Sequence, residues 1–101
     1  MDDTGNTTVA VTKIILHSPV RDLRALQDLV ETWIVRKISL VAVHGEGCEA
    51  LHDLLDQLIV GDDGNEDRFI VTTWHENEPI EDVIEFVGTF GDEGSIEHVR
   101  L

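Results

Sequence analysis

The chain has 101 residues, of which 42% are apolar, and its 21 acidic and seven basic residues give a net charge of −14. Such a charge repels phosphate groups, which argues against direct nucleic-acid binding and against an anionic membrane surface as a partner. The length suits one modest core, because two domains would each be too small to bury one. We therefore expect residues 1–8 to be a flexible N-terminus and residues 9–101 to form a single α/β domain.

Cysteine use and hydropathy indicate the compartment. The single cysteine, Cys48, allows no intramolecular disulfide and fits a reducing environment. The first residues lack the basic and apolar segments of a signal peptide, and no apolar run reaches the roughly 20 residues of a membrane span. We expect a cytoplasmic protein, of the kind common in bacteria, whose acidic surface keeps it soluble.

The first structural unit is a strand followed by a helix. β-branched residues dominate Val9–His17 and predict the strand. Ser18 and Pro19 then have the residue types of an N-cap and a first helical position. Apolar residues recur at helical spacing up to Arg36-Lys37, whose charges suit the last turn of a helix.

The second unit repeats this plan. Ile38–Val43 is nearly all apolar, which is typical of a central strand buried on both faces. The following helix is expected to end at Gly61. Its buried stripe consists of leucines at helical spacing, namely Leu51, Leu54, Leu55 and Leu58. The polar residues 62–67 then predict a loop.

The third unit has a strand over Arg68–Trp74 and a helix that Pro79 opens and Gly91 ends. A short last strand is predicted over Ile96–Leu101. The predicted order is therefore β-α-β-α-β-α-β. Alternation of this kind implies a mostly parallel four-stranded sheet with right-handed crossovers.

The expected architecture is an open three-layer domain with the flavodoxin-like strand order 2-1-3-4 and a switch point between the first and third strands. In that order the first helix covers one face and the second and third helices cover the other. The order 3-2-1-4 is the alternative. A single helix leaves part of its face open, so a homodimer that hides this face or pairs through the last strand is a reasonable hypothesis.

The acidic residues of the last two helices suggest an interaction surface. Two neighbouring helices with acidic outer stripes would present one broad face to a basic protein partner. The residues of this predicted face are Glu49, Asp53 and Asp56 on the second helix and Glu78, Glu81, Asp82 and Glu85 on the third.

Histidines follow the first three strands. His17, His44 and His75 would stand at the edge where parallel strands end, with Glu76 or Glu46 nearby. These residue types are the ingredients of a site for zinc or another divalent metal, or of general acid-base catalysis. The alternative is that the three histidines point in different directions, since a one-residue shift in strand register moves a side chain to the opposite face of the sheet.

The two remaining histidines have simpler interpretations. His52 follows Leu51 on the second helix, and His98 lies in the last strand. Both are expected to be surface or edge residues.

The run Thr73-Trp-His-Glu-Asn-Glu-Pro79, leading into Ile80–Val87, resembles a segment of a family of short uncharacterised bacterial proteins. The similarity covers about the last third of the chain. It implies a small α/β protein without an assigned activity or catalytic residue. It also marks Trp74, His75 and Glu76 as positions to test.

Two functions from different classes follow. The first is a non-enzymatic interaction module without a cofactor, whose acidic helix face binds a basic protein. The second is a metal-binding or hydrolytic site that uses His17, His44 and His75. The predicted loops are too short to form a pocket that encloses a substrate. The sequence therefore favours the interaction module over an enzyme.

Overall fold

The computed structural model of the protein describes residues 10–61, 70–91 and 94–101. The predicted flexible N-terminus and the predicted loop at 62–67 lie outside these residues. Within them the order is β1 (Val11–Ser18), α1 (Leu23–Val35), β2 (Leu40–Gly45), α2 (Cys48–Val60), β3 (Val71–His75), α3 (Ile80–Thr89) and β4 (Ser95–Arg100). The alternation predicted from the sequence is confirmed.

The four strands form one parallel sheet in the order β3-β2-β1-β4. The predicted order 2-1-3-4 is therefore wrong, and the alternative 3-2-1-4 is observed. Burial explains the difference, because β1 and β2 each contain four consecutive buried residues, whereas β3 buries only its last residue, His75. The two strands with continuous buried runs occupy the centre, as expected for strands covered on both faces.

The strand order decides which face each helix covers. Two successive right-handed crossovers step from β1 to β2 to β3 in one direction, and the third returns past β1 to β4. Helices α1 and α2 accordingly share one face of the sheet, here called the α1/α2 face. Among the described helices only α3 covers the other, the α3 face. The prediction that the second and third helices are neighbours on one face is therefore wrong.

The core has two parts that correspond to these faces. On the α1/α2 face, Trp33 of α1 and Leu55 of α2 are fully buried with residues such as Leu16 and Val43 from the sheet. On the α3 face, Val83 and Val87 pack with a smaller set from the sheet. That smaller set is Ile15, Leu40 and Ala42.

The first helix begins later than predicted. Ser18 stays in β1, in register with Gly45 of β2, because a residue before proline favours extended backbone. The N-cap of α1 is Asp22, whose carboxylate accepts a hydrogen bond from the Ala25 N–H at 3.0 Å. The predicted C-cap of the second helix at Gly61 is confirmed.

Candidate functional site

Three histidines lie side by side at the ends of three neighbouring strands. His17 of β1 is in register with His44 of β2, and His44 is in register with His75 of β3. Register partners in a parallel sheet point to the same side. That side is the α3 face, because Ile15, two residues before His17, packs there. The three side chains therefore form a row on one face.

Glu78, in the turn between β3 and α3, holds two of these histidines. Its carbonyl oxygen accepts a hydrogen bond from His44 Nε2 at 2.7 Å. Its carboxylate oxygens lie 3.2 and 3.3 Å from His75 Nδ1, and His75 Nε2 lies 2.9 Å from Thr73 Oγ1. A carbonyl can only accept, so His44 carries its proton on Nε2. These bonds tie the turn after β3 to the end of β2.

His17 pairs with His98 of β4, which the sequence did not predict. His17 Nε2 lies 2.8 Å from His98 Nδ1, and the ring planes differ by only 21°. A hydrogen bond between two imidazoles requires one N–H and one lone pair, so it is lost when both rings are protonated. His98 itself is exposed on the edge strand, as predicted.

The surroundings of His17 oppose its protonation. Partial burial contributes most, and the positive charges of Arg100 and of protonated His98 and His44 add to it. Together they lower the pKa of His17 from its ordinary value of 6.5. Arg100 is the register partner of His17 on β4, and the His44 ring is 6.2 Å away on the other side.

This lowered pKa predicts that acid destabilises the fold through His17. The folded state binds this proton more weakly than the unfolded chain does. The stability associated with neutral His17 is therefore fully present above pH 6.5 and is lost as the pH falls from there through the lowered pKa. We expect a His17→Asn variant to lose less unfolding free energy than the wild type between about pH 7.5 and about pH 5.5. Urea denaturation at both pH values measures this difference, and equal losses in the two proteins would contradict it.

The predicted metal site depends on the placement of its candidate ligands in the described ranges. Among residues 10–61, 70–91 and 94–101, no three His, Cys, Asp or Glu side chains are placed to hold one metal ion. His44 and His75 direct ring nitrogens at Glu78. The hypothesis of a metal on His17, His44, His75 and Glu76 stays a prediction from the sequence.

A pocket of about 400 Å³ opens between the loops that follow β2 and β3. From β2 the chain turns to α2 on one face, and from β3 it turns to α3 on the other, so these neighbouring strands form the topological switch point of the sheet. The predicted switch point between the first and third strands is corrected by the strand order. The pocket is lined by His44, Gly45, Glu46, Gly47, Glu76, Asn77 and Glu78. Among the described residues, the lining thus has three glutamates and neither lysine nor arginine.

The loop that forms one wall of this pocket contacts Ser18 at the end of β1. The Ser18 hydroxyl donates a hydrogen bond to the Glu46 carbonyl oxygen. Gly45 has a φ of 119°, and a Cβ at this position would overlap the Ser18 carbonyl oxygen. Only glycine fits such a close approach of two backbones. The pocket wall is therefore positioned by the Ser18 hydroxyl and by the close approach of the backbones at the ends of β1 and β2.

A second polar cluster lies on the α1/α2 face, where α2 crosses β3. The Asp56 carboxylate accepts a hydrogen bond from the Thr72 hydroxyl at 2.5 Å. This uses the hydroxyl proton, so the hydrogen bond of 2.9 Å between Thr72 Oγ1 and His52 Nε2 is donated by the imidazole. His52 is buried, so its prediction as a surface or edge residue is wrong.

This cluster resembles a nucleophile, base and acid set in composition, but its proton positions differ. In such a set the hydroxyl donates to the imidazole, which then accepts its proton. Here the Thr72 hydroxyl donates to Asp56 instead. The cluster therefore joins α2 to β3 and does not activate a nucleophile.

The acidic residues predicted to bind a partner do not share one helix surface. α2 carries Glu49, Asp53 and Asp56, whereas α3 carries Glu81, Asp82 and Glu85 and is preceded by Glu78. The two helices cover opposite faces of the sheet, so the continuous surface predicted from the sequence is wrong. Both helices nevertheless begin at the same sheet edge, because each follows the end of a parallel strand. Their first turns lie on either side of the switch point.

Comparisons with known proteins place the chain in a family without assigning it an activity. None of the helices in the described ranges has the length and apolar character needed to cross a membrane. No curated protein and no solved structure matches the chain. A family model described as "Domain of unknown function (DUF7684)" matches residues 3–100. The resemblance to an uncharacterised family is confirmed, and the chain belongs to this family of unknown function.

Proposed function

We propose that the protein is a non-enzymatic interaction module that binds a basic protein partner at the acidic end of its sheet. The observation that carries this proposal is the switch-point pocket, because loops from two strands bring Glu46, Glu76 and Glu78 to the lining of one opening. In open parallel sheets, ligands bind in the crevice at this position. A pocket of about 400 Å³ has room for one long basic side chain.

The charge distribution supports a cationic ligand. Residues 38–101 contain 16 acidic residues and only two basic ones, Arg68 and Arg100. Acids in the first turns of α2 and α3, Glu49, Glu81 and Asp82, lie near the same end of the sheet as the pocket. An approaching basic surface would therefore be attracted before it makes contact, and this attraction weakens as salt screens it.

Neutralising two pocket carboxylates tests the site. A tetra-arginine amide serves as the probe, and its dissociation constant is measured by calorimetry at low and at high salt. We expect the double variant Glu46→Gln, Glu76→Gln to bind it about tenfold or more weakly, because charge-assisted hydrogen bonds are lost. Glu78 is left intact, since its carboxylate also holds His75.

The control is Glu85→Gln, a substitution of the same type on the exposed surface of α3 away from the pocket lining. We expect it to change binding by about twofold at most, as for a remote, screened charge. If Glu85→Gln weakens binding as much as the pocket variant does, the attraction is general and the pocket is not the site.

The alternative function is a metal-dependent or acid-base site on the three strand-end histidines. The observation in its favour is that His17, His44 and His75 lie in register on one face. A zinc titration followed by NMR of the imidazoles distinguishes the two functions. Joint saturation of the three rings at one equivalent would favour the metal site, and separate weak responses would remove it.

A further inference from the structure

Trp74 is an exposed aromatic residue on the edge strand β3. Its exposed fraction is 45%, whereas the other tryptophan, Trp33 of α1, is fully buried in the core. β3 pairs with β2 on one side and is the terminal strand of the described sheet on the other. Trp74 alternates with Thr73 and His75, so it lies on the α1/α2 face beside α2.

A buried imidazole holds the indole of Trp74 in place. The rings of Trp74 and His52 have centroids 4.6 Å apart, with planes inclined by 48°. His52 is only 9% exposed and donates to Thr72. The indole therefore packs against a fixed ring, while nearly half of the Trp74 surface remains exposed to solvent.

Two carboxylates flank the same imidazole. Asp53 Oδ1 lies 3.5 Å from His52 Nδ1, and Asp56 Oδ2 lies 3.6 Å from His52 Nε2. The Asp53 side chain is 71% exposed and the Asp56 side chain 47% exposed. His52 Nδ1 is buried and has no hydrogen-bond partner within the described part of the chain. A half-exposed indole and two accessible carboxylates thus surround one imidazole whose Nδ1 lacks a hydrogen-bond partner among the described residues.

We propose that Trp74, Asp53 and Asp56 form a binding site for an arginine side chain of the basic partner. A guanidinium group can lie flat on an indole while its edge N–H groups donate to carboxylates, and these are the two features that this site combines. A lysine ammonium group is more strongly hydrated and cannot form both contacts with the same planar geometry. The inference rests on the proposed function in taking the partner to be basic, but its residues lie outside the switch-point pocket.

The two tryptophans allow a direct test by NMR. Tetra-arginine amide and tetra-lysine amide are titrated separately into the protein while the two indole N–H resonances are followed. We expect the Trp74 resonance to shift and saturate with the arginine peptide and to shift less with the lysine peptide. The Trp33 resonance should stay constant, because that ring is fully buried. Equal Trp74 shifts with both peptides would overturn the preference for arginine.

Substitutions at Trp74 and Asp53 test the contacts. We expect Trp74→Leu to weaken binding of the arginine peptide about three- to thirtyfold, which is the range of a cation–π contact, and Trp74→Phe to retain most of the affinity. Asp53→Asn should also weaken binding. An unchanged Trp33 resonance in each variant shows that the fold is intact. Unchanged affinity in Trp74→Leu would overturn the inference.

The pocket variant separates this inference from the proposed function. If Glu46→Gln, Glu76→Gln weakens binding and Trp74→Leu does not, the arginine site is wrong and the switch-point pocket remains. If Trp74→Leu weakens binding and the pocket variant does not, the arginine site is supported and the pocket is wrong. If neither peptide binds the wild type at low salt, both proposals fail.

Discussion

Replacing Gly45 with alanine is expected to destabilise the folded protein by about 3 kcal/mol. Two costs add at this position. The backbone has a φ of 119°, which side-chain-bearing residues rarely adopt, and the added Cβ would overlap the Ser18 carbonyl oxygen. That oxygen belongs to the backbone of a neighbouring strand, so β1 and β2 would have to separate at their ends.

Chemical denaturation of Gly45→Ala and of a matched variant, Gly88→Ala, measures this effect. Gly88 lies within α3, and a Cβ there would meet no atom within 4 Å. Alanine at Gly88 should stabilise the protein by about 0.5 kcal/mol, because alanine favours a helix more than glycine does. If both variants changed stability by the same amount, the close contact between Ser18 and Gly45 would not constrain the fold.

The strand order could have been predicted more closely from strand composition. The apolar run Ile38–Val43 correctly predicts a central strand, yet the order 2-1-3-4 would have placed this strand at an edge of the sheet. Two threonines in Val71–His75 are more typical of an edge strand, and that is where β3 lies. The apolar or polar composition of each strand was therefore a better guide to strand order than the common doubly wound pattern.

The position of the three histidines at one edge of the sheet was predictable from the order of residues along the chain. His17, His44 and His75 each follow an apolar run, and parallel strands end at one edge. Their common face depends on register, which the sequence left open between two alternatives. The pairing of His17 with His98 depends further on β4 lying beside β1, and this adjacency exists only in the observed strand order.

Two buried polar residues were missed because their sequence environment is ordinary. His52 lies beside acids on an amphipathic helix, and its burial follows from the crossing of α2 over β3. Lys13 lies among β-branched residues and is fully buried on the α3 face of β1. A polar residue within an apolar strand pattern is the signal that could have identified Lys13 as buried.

Replacing Thr72 with valine is expected to lower the free energy of unfolding by about 2 kcal/mol. Valine keeps the shape of the side chain but removes the hydroxyl that bonds to Asp56 and to His52. The buried His52 ring would then lose its hydrogen bond at Nε2–H, with the Asp56 carboxylate 3.6 Å away, while its Nδ1 already lacks a partner among the described residues. Leaving a buried donor unsatisfied costs more than the hydrogen bond contributes.

Two further variants show whether the unsatisfied imidazole is the cause. Thr72→Ser keeps the hydroxyl and should retain more stability than Thr72→Val does, although it loses a methyl group. Adding His52→Leu to Thr72→Val removes the donor itself, so the double variant should recover stability relative to the single one, because replacing both partners by apolar groups is nearly neutral. Urea denaturation of the wild type, Thr72→Val, His52→Leu and the double variant completes the cycle. Additive losses would mean that Thr72 and His52 stabilise the fold independently, and an unsatisfied imidazole would then not be the cause of the loss in Thr72→Val.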